Sequence, residues 1–375
     1  MTIVFIGGIR THYIKINALQ KVIAKLDNEI TRKFNFIYID TAQHYDEALN
    51  GFIDELGLHF DYRLSHDSKN PYDMISTMLI QLGKIFDEIN AKTQIDYVAV
   101  LGDVTTTIIS AIAAKFKSLK TLHIEAGARV GRGAGVEEYF RTAVDHISTM
   151  CFAATQNDYD NLVAEGLEDY AFFSGDIIYD YLKDYSYEHQ KTSFLYKSNG
   201  TLKSFKCDST DYIFSSIHHA ENLDPLFLNK FFVALRETGL RTIFIAHPRI
   251  KKIIENNNIG TYDTVIADYI PYLENLCAIK NCKFVVTDSG GVQREAYYLD
   301  KRCVVRSDLN VWKCIVECGS NRIASKDFEG LLSAFEWANK HYLDSYEYNG
   351  CFGDGNAVKN ILETVLFFDK QNFLN

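Results

Sequence analysis

The sequence lacks both the long apolar runs of a membrane protein and the basic excess of a nucleic-acid-binding protein. No stretch approaches the roughly 18 apolar residues of a transmembrane helix, and MTIVFIGGIRTHYIK is apolar too briefly to resemble a secretory signal peptide. The formal net charge of -10 argues against duplex nucleic acid as a partner. We therefore expect a cytoplasmic protein that contacts neither a membrane nor nucleic acid. The net charge does not exclude a phosphate-bearing ligand, because a small binding site depends on local hydrogen-bond donors and not on the charge of the whole protein.

The eight cysteines form no CxxC pair and no spacing typical of a zinc site, so we interpret them as reduced thiols of a cytosolic protein. Cys314 and Cys318 have an i, i+4 spacing, which leaves a metal role open, but no second ligand pair follows them. The chain also lacks the GxGxxG fingerprint and the P-loop patterns GxxxxGKS and GxxxxGKT. These absences argue against NAD and against a P-loop nucleotide site.

Short β-branched runs alternate with longer helical stretches along the chain, and this pattern starts twice. The predicted strands of the first half are 2–8, 34–41, 96–103, 120–127 and 149–155, and those of the second half are 212–222, 241–248, 263–269, 282–291 and 302–307. Strands that alternate with helices predict right-handed βαβ units and a parallel sheet. We therefore predict an α/β fold with two doubly wound Rossmann-like domains.

We place the first predicted domain at residues 1–170 and the second at 171–355. The last helix, within 356–375, is expected to pack on either domain, including back on the first. The polar stretch 187–210, rich in Ser and Lys, is interpreted as a connection or an insertion.

Polar side chains follow the predicted strands at their carboxyl ends, where ligands bind in sheets of this kind. They are Arg10, Asp103, Glu125, His218, His219, His247 and the cluster 288–295. Ordinary strand-end polarity explains one or two such positions but poorly explains the whole set. The pattern therefore predicts an active site in a cleft between the two domains.

The motifs of the first half supply positive charge and carboxylates. In GGIRTHYIK, a glycine turn precedes a helix whose free N–H groups, with Arg10 and Lys15, suit an anion; Lys15 is alternatively a solvated helix residue. Asp103 in GDVTTT is either an N-cap or a carboxylate that acts as acid, base or hydroxyl ligand. Glu125 and the Glu137-Glu138 pair flank a glycine-rich loop. This arrangement suits proton transfer on opposite faces of a ring, although a negative first helical turn also explains the pair.

The motifs of the second half suit a diphosphate and a ribose. His218 in IHHAEN is a candidate for binding phosphate or polarising a leaving oxygen, and His247 in AHPR ends a strand in the same way. In TDSGGVQREA, the N–H groups at Ser289, Gly290 and Gly291 start a helix and can donate to a diphosphate. Glu295, one turn further on, can accept from two vicinal hydroxyl groups.

This ordered set of motifs, GGIRTHYIK, TAQH, GDVTTT, HIEAGAR, VEEYFR, HHAEN, AHPR and TDSGGVQREA, resembles the UDP-N-acetylglucosamine 2-epimerase family from residue 3 to about 306. The resemblance implies two domains like those of GT-B glycosyltransferases, with a UDP-sugar between them. In the first half, it also implies that Arg10 and Lys15 are basic first-loop residues and that Asp103, Glu125 and Glu137 are catalytic carboxylates, with Arg141 in the same acidic motif. In the second half, it implies that His218 lies near the diphosphate and that His247 is a further UDP ligand. It also implies that Ser289, Gly290 and Gly291 form the phosphate turn and that Glu295 binds the ribose.

The resemblance implies inversion at C2 of UDP-GlcNAc, through elimination of UDP to a 2-acetamidoglucal and re-addition to the other face. No NAD or metal is needed, a homodimer is common, and a role in bacterial surface polysaccharide, such as a capsule, is expected. HIEAGAR is similar to the non-hydrolysing branch, since the hydrolysing branch usually carries a His-Gly-Gly-Glu sequence there. The alternatives are a hydrolysing epimerase that releases ManNAc, a GT-B glycosyltransferase and a non-catalytic nucleotide-sugar binding protein.

The chain departs from the family pattern where the nucleotide and the sugar are expected. The departures are Ile9, Thr11 and His12 in the first loop, Gln156 after the fifth strand, His219-Ala220 after His218, and LNVWKC (309–314) after Arg306. They leave the identity of the UDP-sugar open. Gln43 and His44 match a region that lines a regulatory UDP-GlcNAc site in some relatives, and regulation stays open too.

Overall fold

The computed structural model describes residues 1–43, 47–65, 70–131, 135–183, 193–207, 211–307, 312–346 and 348–370. This part of the chain divides into two compact units: residues 1–181 with 350–375, and residues 182–349. The first unit extends beyond residue 170 because the short strand that follows, Ala171–Phe173, pairs with strand Met150–Ala153 in the first sheet.

The first unit contains a seven-stranded sheet whose pairs are all parallel. Its strands are β1 (Thr2–Gly7), β2 (Asn35–Asp40), β3 (Tyr62–Arg63), β4 (Tyr97–Leu101), β5 (Lys120–Ala126), β6 (Met150–Ala153) and β7 (Ala171–Phe173). The sheet order is β3-β2-β1-β4-β5-β6-β7. Every residue of β1 and of β4 is buried, as expected for strands that helices cover on both faces.

The helices of the first unit follow the strands in the order that a doubly wound sheet requires. They are α1 (Arg10–Lys25), α2 (Asn28–Thr31), α3 (Glu47–Leu56), α4 (Pro71–Asn90), α5 (Thr105–Phe116), α6 (Val136–Ile147), α7 (Gln156–Ala164) and α8 (Ile177–Leu182). Local sequence explains several starts: Asn70 caps α4 ahead of a proline, and Thr155 with Asp158 forms a capping box at α7. α4 and α5 pack against the sheet in one apolar core.

The second unit repeats this plan with a six-stranded parallel sheet. Its strands are β10 (Tyr212–Ile217), β11 (Arg241–Ala246), β12 (Thr264–Ala267), β13 (Phe284–Thr287), β14 (Cys303–Val305) and β15 (Asn321–Ile323), in the order β12-β11-β10-β13-β14-β15. Its helices are α9 (Pro225–Glu237), α10 (Pro248–Asn256), α11 (Tyr272–Asn281), α12 (Gly290–Tyr298), α13 (Lys313–Glu317) and α14 (Phe328–His341). In both sheets the strand order reverses once, between β1 and β4 and between β10 and β13, which is where such folds bind ligands.

Part of the stretch interpreted as a connection is an antiparallel hairpin of β8 (Ser193–Ser198) and β9 (Thr201–Lys206). The two-residue turn is Asn199-Gly200, with φ of 50° and 73°. This dipeptide favours the left-handed conformations that tight hairpins need. Of the two interpretations, a connection or an insertion, residues 193–206 fit the insertion.

The last helix, α15 (Ala357–Lys370), belongs to the first unit. The buried carboxylate of Asp180 accepts hydrogen bonds from the N–H groups of Ala357 and Val358 at 2.9 and 2.8 Å, which caps the helix. At the other end, Phe368 packs edge-on against Phe172 of β7, with ring centroids 5.0 Å apart. Among the described residues, no helix is both long enough and apolar enough to cross a membrane.

Candidate active site

In the first unit, helix α1 and strand β5 bring Lys15 and Glu125 together. The Lys15 Nζ forms an ion pair with the Glu125 carboxylate, and the two side chains are only 9% and 16% exposed. Lys15 is therefore not the solvated helix residue of the alternative interpretation. Because the pair is largely removed from water, loss of either partner leaves a poorly compensated charge.

The backbone at Glu125 is shaped around this side chain. Glu125 has a φ of 69°, a left-handed conformation that residues other than glycine rarely adopt. The pairing of β5 with β6 shifts register between Ile124 and Ala126, so Glu125 occupies an irregularity in the strand. Irregularities of this kind re-aim a side chain, and backbone strain often marks functional residues.

Gly102 places a second charged pair next to the first. It has a φ of 63°, a conformation that favours glycine, and a Cβ atom there would lie 3.1 Å from the Lys15 Nζ. The next residue, Asp103, pairs with Arg141 of α6. The end of β4 thus delivers a carboxylate beside the Lys15–Glu125 pair.

Asp103 is not the N-cap of α5, which answers one of the alternatives raised by the sequence. The helix starts after Val104, and the side-chain oxygen of Gln43 accepts hydrogen bonds from Thr106 N and Oγ1 at 2.8 and 2.7 Å. Gln43 therefore satisfies a donor at the helix start, and the Asp103 carboxylate is directed to Arg141 instead. His44, its neighbour in the TAQH motif, lies outside the described residues.

The structure distinguishes the two glutamates of the acidic motif. Glu138 is buried, pairs with Arg141 at 3.2 Å, and accepts from the N–H groups of Val130 and Gly131 at 3.2 and 3.0 Å. Glu137 is exposed in the first turn of α6, and no hydrogen bond or ion pair links it to the rest of this network within the described part of the chain. The predicted set Asp103, Glu125, Arg141 and Lys15 is brought together, whereas Glu137 stands apart from it.

Arg10 is exposed, and its guanidinium lies 4.8 Å from the centroid of the Phe52 ring. His12, noted in the sequence only as a departure from the family pattern, is instead buried in the first turn of α1. Burial, reinforced by the charge of Lys15, lowers the pKa of His12 to about 3. His12 is therefore neutral, and its Nδ1 has no hydrogen-bond partner among the residues that the structure describes.

A buried histidine beneath the two turns was not recognised from the sequence. His123 of β5 contacts the Asp145 carboxylate through Nδ1 at 2.6 Å and the Gly102 carbonyl through Nε2 at 2.7 Å. Both ring nitrogens face oxygen acceptors, which only the doubly protonated ring satisfies. Burial acts to raise the pKa of Asp145, but the charges and hydrogen bonds of His123 and Arg129 outweigh burial and keep that pKa below its usual range. The cluster ties α6 to the turns that carry Asp103 and Glu125.

In the second unit, Asp288 organises the end of β13. It is 1% exposed, and its carboxylate accepts from the N–H groups of His218 and His219 at 3.0 and 2.9 Å and from Asn222 Nδ2 at 2.9 Å. The His218 Nδ1 lies 3.1 Å from the other carboxylate oxygen. Burial acts to raise the pKa of Asp288, but the contacts with His218 and its neighbours hold that pKa below the usual value.

The turn after Asp288 leads into α12. Ser289 is the N-cap residue, without a side-chain cap hydrogen bond, and Gly290 and Gly291 begin the helix. Trp312 Nε1 donates to the Gly290 carbonyl at 3.1 Å, and a Cβ atom on Gly290 would lie 3.2 Å from the same Nε1. A Cβ atom on Gly291 would meet only Ser289 Oγ, at 3.9 Å. The approach to this helix start is therefore open at Gly291.

The two remaining predicted residues of this unit, Glu295 and His247, differ in burial. Glu295 is buried on α12, one turn beyond the glycines. His247 caps α10, accepts from Arg249 N at 3.3 Å, and is exposed. Partial burial, with the charges of Arg249 and His218, lowers the pKa of His247. The two histidines lie at the same edge of the sheet, because they follow the adjacent parallel strands β10 and β11.

His218, His219 and Asp288 offer donor atoms within 4.8 Å of one another, which raises the question of a metal. The Asp288 carboxylate already accepts three N–H groups and faces a ring nitrogen. These contacts use the lone pairs that a metal would need. The geometry is that of a hydrogen-bonded carboxylate that shapes a loop.

With two doubly wound parallel sheets, each carrying polar groups at its strand-order reversal, the chain is an α/β enzyme of the two-domain Rossmann type. The family model described as UDP-N-acetylglucosamine 2-epimerase matches residues 27–366. The chain therefore belongs to the UDP-N-acetylglucosamine 2-epimerase family, whose members are isomerases. This result confirms the resemblance seen in the sequence.

Similar proteins agree with this assignment. A "UDP-N-acetylglucosamine 2-epimerase homolog" from Methanococcus maripaludis is 34% identical over 373 residues, which cover 97% of this chain and 99% of that protein. A "UDP-2,3-diacetamido-2,3-dideoxy-D-glucuronate 2-epimerase" from Pseudomonas aeruginosa is 29% identical, with 97% of this chain and 99% of that protein covered.

A solved structure of a relative shows the same fold. The crystal structure of Methanocaldococcus jannaschii UDP-GlcNAc 2-epimerase in complex with UDP-GlcNAc and UDP is similar, with a TM-score of 0.80 and 27% identity. The match covers 98% of this chain and 100% of that chain. The predicted fold class, two Rossmann-like domains of the GT-B-like type, is confirmed.

Proposed function

We propose that this protein inverts C2 of UDP-N-acetylglucosamine to give UDP-N-acetylmannosamine, without net hydrolysis. The observation that carries the proposal is the shielded Lys15–Glu125 pair beside the Asp103–Arg141 pair in the first unit. It is supported by relatives whose names specify UDP-GlcNAc 2-epimerase and by the similar crystal structure that contains UDP-GlcNAc and UDP.

In the proposed reaction, a carboxylate removes the proton from C2 while the C1–O bond breaks. The electron pair of the C–H bond forms the C1=C2 double bond of a 2-acetamidoglucal, and UDP leaves with the electron pair of the C1–O bond. Addition of a proton to the opposite face of C2, with return of UDP to C1, gives the epimer. Every step moves a proton or a leaving group, so no oxidant or reductant is consumed.

We assign the proton transfers at C2 to carboxylates of the first unit, with Glu125 as the first candidate. Its pairing with Lys15 holds it as an anion in a poorly solvated place, which suits a base. Asp103 is the second candidate for moving protons or binding a hydroxyl group. Glu137 remains a proposal from the resemblance, since the structure places it in an exposed first helical turn.

We assign the UDP moiety to residues of the second unit. The N–H groups of Gly290 and Gly291, at the start of a nine-residue helix, suit a diphosphate, because a helix N-terminus carries partial positive charge. His218 and His247 are proposed to contact the phosphates, and Glu295 the ribose. Arg10 and Lys15 are proposed to add positive charge in the first unit.

A second candidate substrate is a UDP-diacetamido-uronate sugar, because one of the similar proteins is named for it. The C2 chemistry is the same, and the two substrates differ at C3 and C6. The departures Ile9, Thr11 and His12 lie at the N-cap and in the first turn of α1, and we propose that they change sugar selectivity.

The test is incubation with each UDP-sugar in D2O, followed by NMR. Deuterium at C2, together with the epimeric UDP-sugar, is the expected result. Release of free ManNAc and UDP means that the protein is a hydrolysing epimerase. Tight UDP binding without any turnover on either sugar would contradict an epimerase function and favour a nucleotide-sugar binding protein.

We also propose, from the resemblance, that the product supplies surface polysaccharide synthesis and that the protein is a homodimer. Sedimentation analysis of the purified protein tests the second point, since a monomer at all concentrations would contradict it. Loss of N-acetylmannosamine from the cell surface on deletion of the gene tests the first.

A further inference from the structure

The second unit contains a chain of buried polar side chains that ends at an exposed histidine. Arg306 is 0% exposed and donates from Nε to Asn222 Oδ1 at 3.2 Å and from a terminal nitrogen to the Ala324 carbonyl at 2.7 Å. Asn222, also 0% exposed, donates from Nδ2 to Asp288 at 2.9 Å. Asp288 then faces the ring of His218, whose side chain is 46% exposed.

Each contact in this chain determines the orientation of the next. A guanidinium only donates, so the Asn222 oxygen faces Arg306 and its NH2 group is directed to Asp288. An ionised carboxylate only accepts, so the His218 nitrogen that faces Asp288, Nδ1, carries a proton. The remaining ring nitrogen, Nε2, is the one left for a ligand.

Asp288 also fixes the backbone that carries the ring. It accepts from the N–H groups of His218 at 3.0 Å and His219 at 2.9 Å, in addition to facing His218 Nδ1 at 3.1 Å. One buried carboxylate thus holds both the main chain and the imidazole of the same residue. Such second contacts commonly set the tautomer and ring orientation of functional histidines.

We propose that Asp288 is a positioning residue that fixes His218 with Nδ1–H inward and Nε2 toward the leaving diphosphate, and that Asn222 and Arg306 hold Asp288 in place. This inference rests on the proposed epimerase function. As UDP departs, the C1–O electron pair moves to a phosphate oxygen. Because Nδ1 keeps its own proton toward Asp288, a proton taken up by the ring resides on Nε2, from which it is donated in a hydrogen bond to that diphosphate and stays on the ring.

The first test needs no change to the site. Ring nitrogen shifts of 15N-labelled protein, recorded at a pH where the imidazole is neutral, report which nitrogen carries the proton, and His218→Gln identifies the signal. We expect the Nδ1–H tautomer in the wild-type protein. The Nε2–H tautomer in the wild-type protein would overturn the proposal.

The second test is Asp288→Asn, with Asp327→Asn as a matched control because Asp327 caps α14 with its side chain. In Asp288→Asn we expect His218 to lose its tautomer preference and kcat to fall on the order of 100-fold, with a smaller change in KM. Asp327→Asn is expected to alter neither the tautomer nor kcat. An unchanged kcat in folded Asp288→Asn protein that has lost the tautomer preference would contradict the positioning role.

The two proposals fail in different ways. Absence of C2 exchange in wild-type protein contradicts the proposed function, whereas the NMR signals of His218 do not depend on turnover. If Asp288→Asn does not fold, Asn222→Ser gives the same readouts, with a smaller expected loss of kcat, because it removes one donor to Asp288 and leaves the carboxylate. If folded Asn222→Ser protein keeps both the tautomer preference and the kcat of the wild type, Asn222 and Arg306 do not contribute to holding Asp288 in place.

Discussion

Glu125 in the first unit and Asp288 in the second are both carboxylates at the end of a central parallel strand, yet their surroundings differ. Glu125 pairs with a flexible cation, Lys15, and lies on a left-handed backbone at a strand irregularity. Asp288 accepts three N–H groups and faces a histidine ring. The first environment leaves a carboxylate suited to chemistry, whereas the second uses the carboxylate to build the loop that carries His218.

The sharpest test of this comparison is Glu125→Gln. We expect deuterium exchange at C2 to fall by roughly 100- to 10,000-fold, because the amide cannot act as a base. UDP affinity, measured by calorimetry, is expected to stay within about 3-fold of wild type, less than 1 kcal/mol. Glu88→Gln, at an exposed ion pair with Lys92, is the matched control and should change neither value. A large loss of UDP affinity would instead give Glu125 a binding or structural role.

The helix start in the second unit is tested by Gly291→Ala. Because a Cβ atom there meets only Ser289 Oγ at 3.9 Å, the fold should tolerate it, whereas a diphosphate on the helix N–H groups should not. We expect UDP binding to weaken about 10- to 100-fold, with an unchanged Tm. Gly51→Ala, where a Cβ atom meets nothing within 4 Å, serves as the control. Full UDP affinity in Gly291→Ala would show that the diphosphate does not approach this turn.

The buried neutral His12 predicts an acid-sensitive first unit. Its folded-state pKa of about 3 lies below the ordinary value of 6.5, so the unfolded chain binds a proton first as the pH falls. Above pH 6.5 this group has no effect, and between about 6.5 and 3 it reduces the free energy of unfolding by about 1.4 kcal/mol per pH unit. His12→Asn should remove this contribution in urea titrations at successive pH values. Exposed His59→Asn should not, and an unchanged slope in His12→Asn would refute the assignment.

The smallest expected effect concerns the hairpin, which lies outside both clusters. Gly200 has a φ of 73°, so Gly200→Ala should cost roughly 1 kcal/mol of stability in urea unfolding. Gly51→Ala, at a helical position, should stabilise by about 0.5–1 kcal/mol. Epimerase activity is expected to be unchanged in both variants. A loss of activity in Gly200→Ala would connect the hairpin to the reaction.

Much of the fold could be predicted from the sequence because long buried strands have a strong signal. β1, β4 and β10 are buried on both faces and mostly apolar, and such runs between helices leave few alternatives to a parallel sheet. The strands β3, β7 and β15 were missed, since they have only two or three residues and show no periodicity. The hairpin had a signal, Asn199-Gly200 between strand-like runs, and that signal was not used.

From the sequence, the position of a site residue could be predicted only where that residue lies at the end of a strand. Asp103 lies just beyond the end of β4 and Glu125 lies near the end of the neighbouring parallel strand β5, so their approach follows from the fold. Glu137 and Glu138 share one helical turn, and their burial depends on how the loop 130–131 meets α6, which local sequence does not specify. The same limit applies to Asp288, because its acceptor role depends on N–H groups about 70 residues earlier in the chain.

The capping of α15 by Asp180 has a consequence for synthesis. The hydrogen bonds join residues separated by 177 and 178 positions, with the whole second unit between them. Since a ribosome delivers the chain from its N-terminus, every residue of the second unit is available before the helix that completes the first. The second unit can therefore mature first, while the unit that was begun earlier waits for the last segment of the chain to emerge.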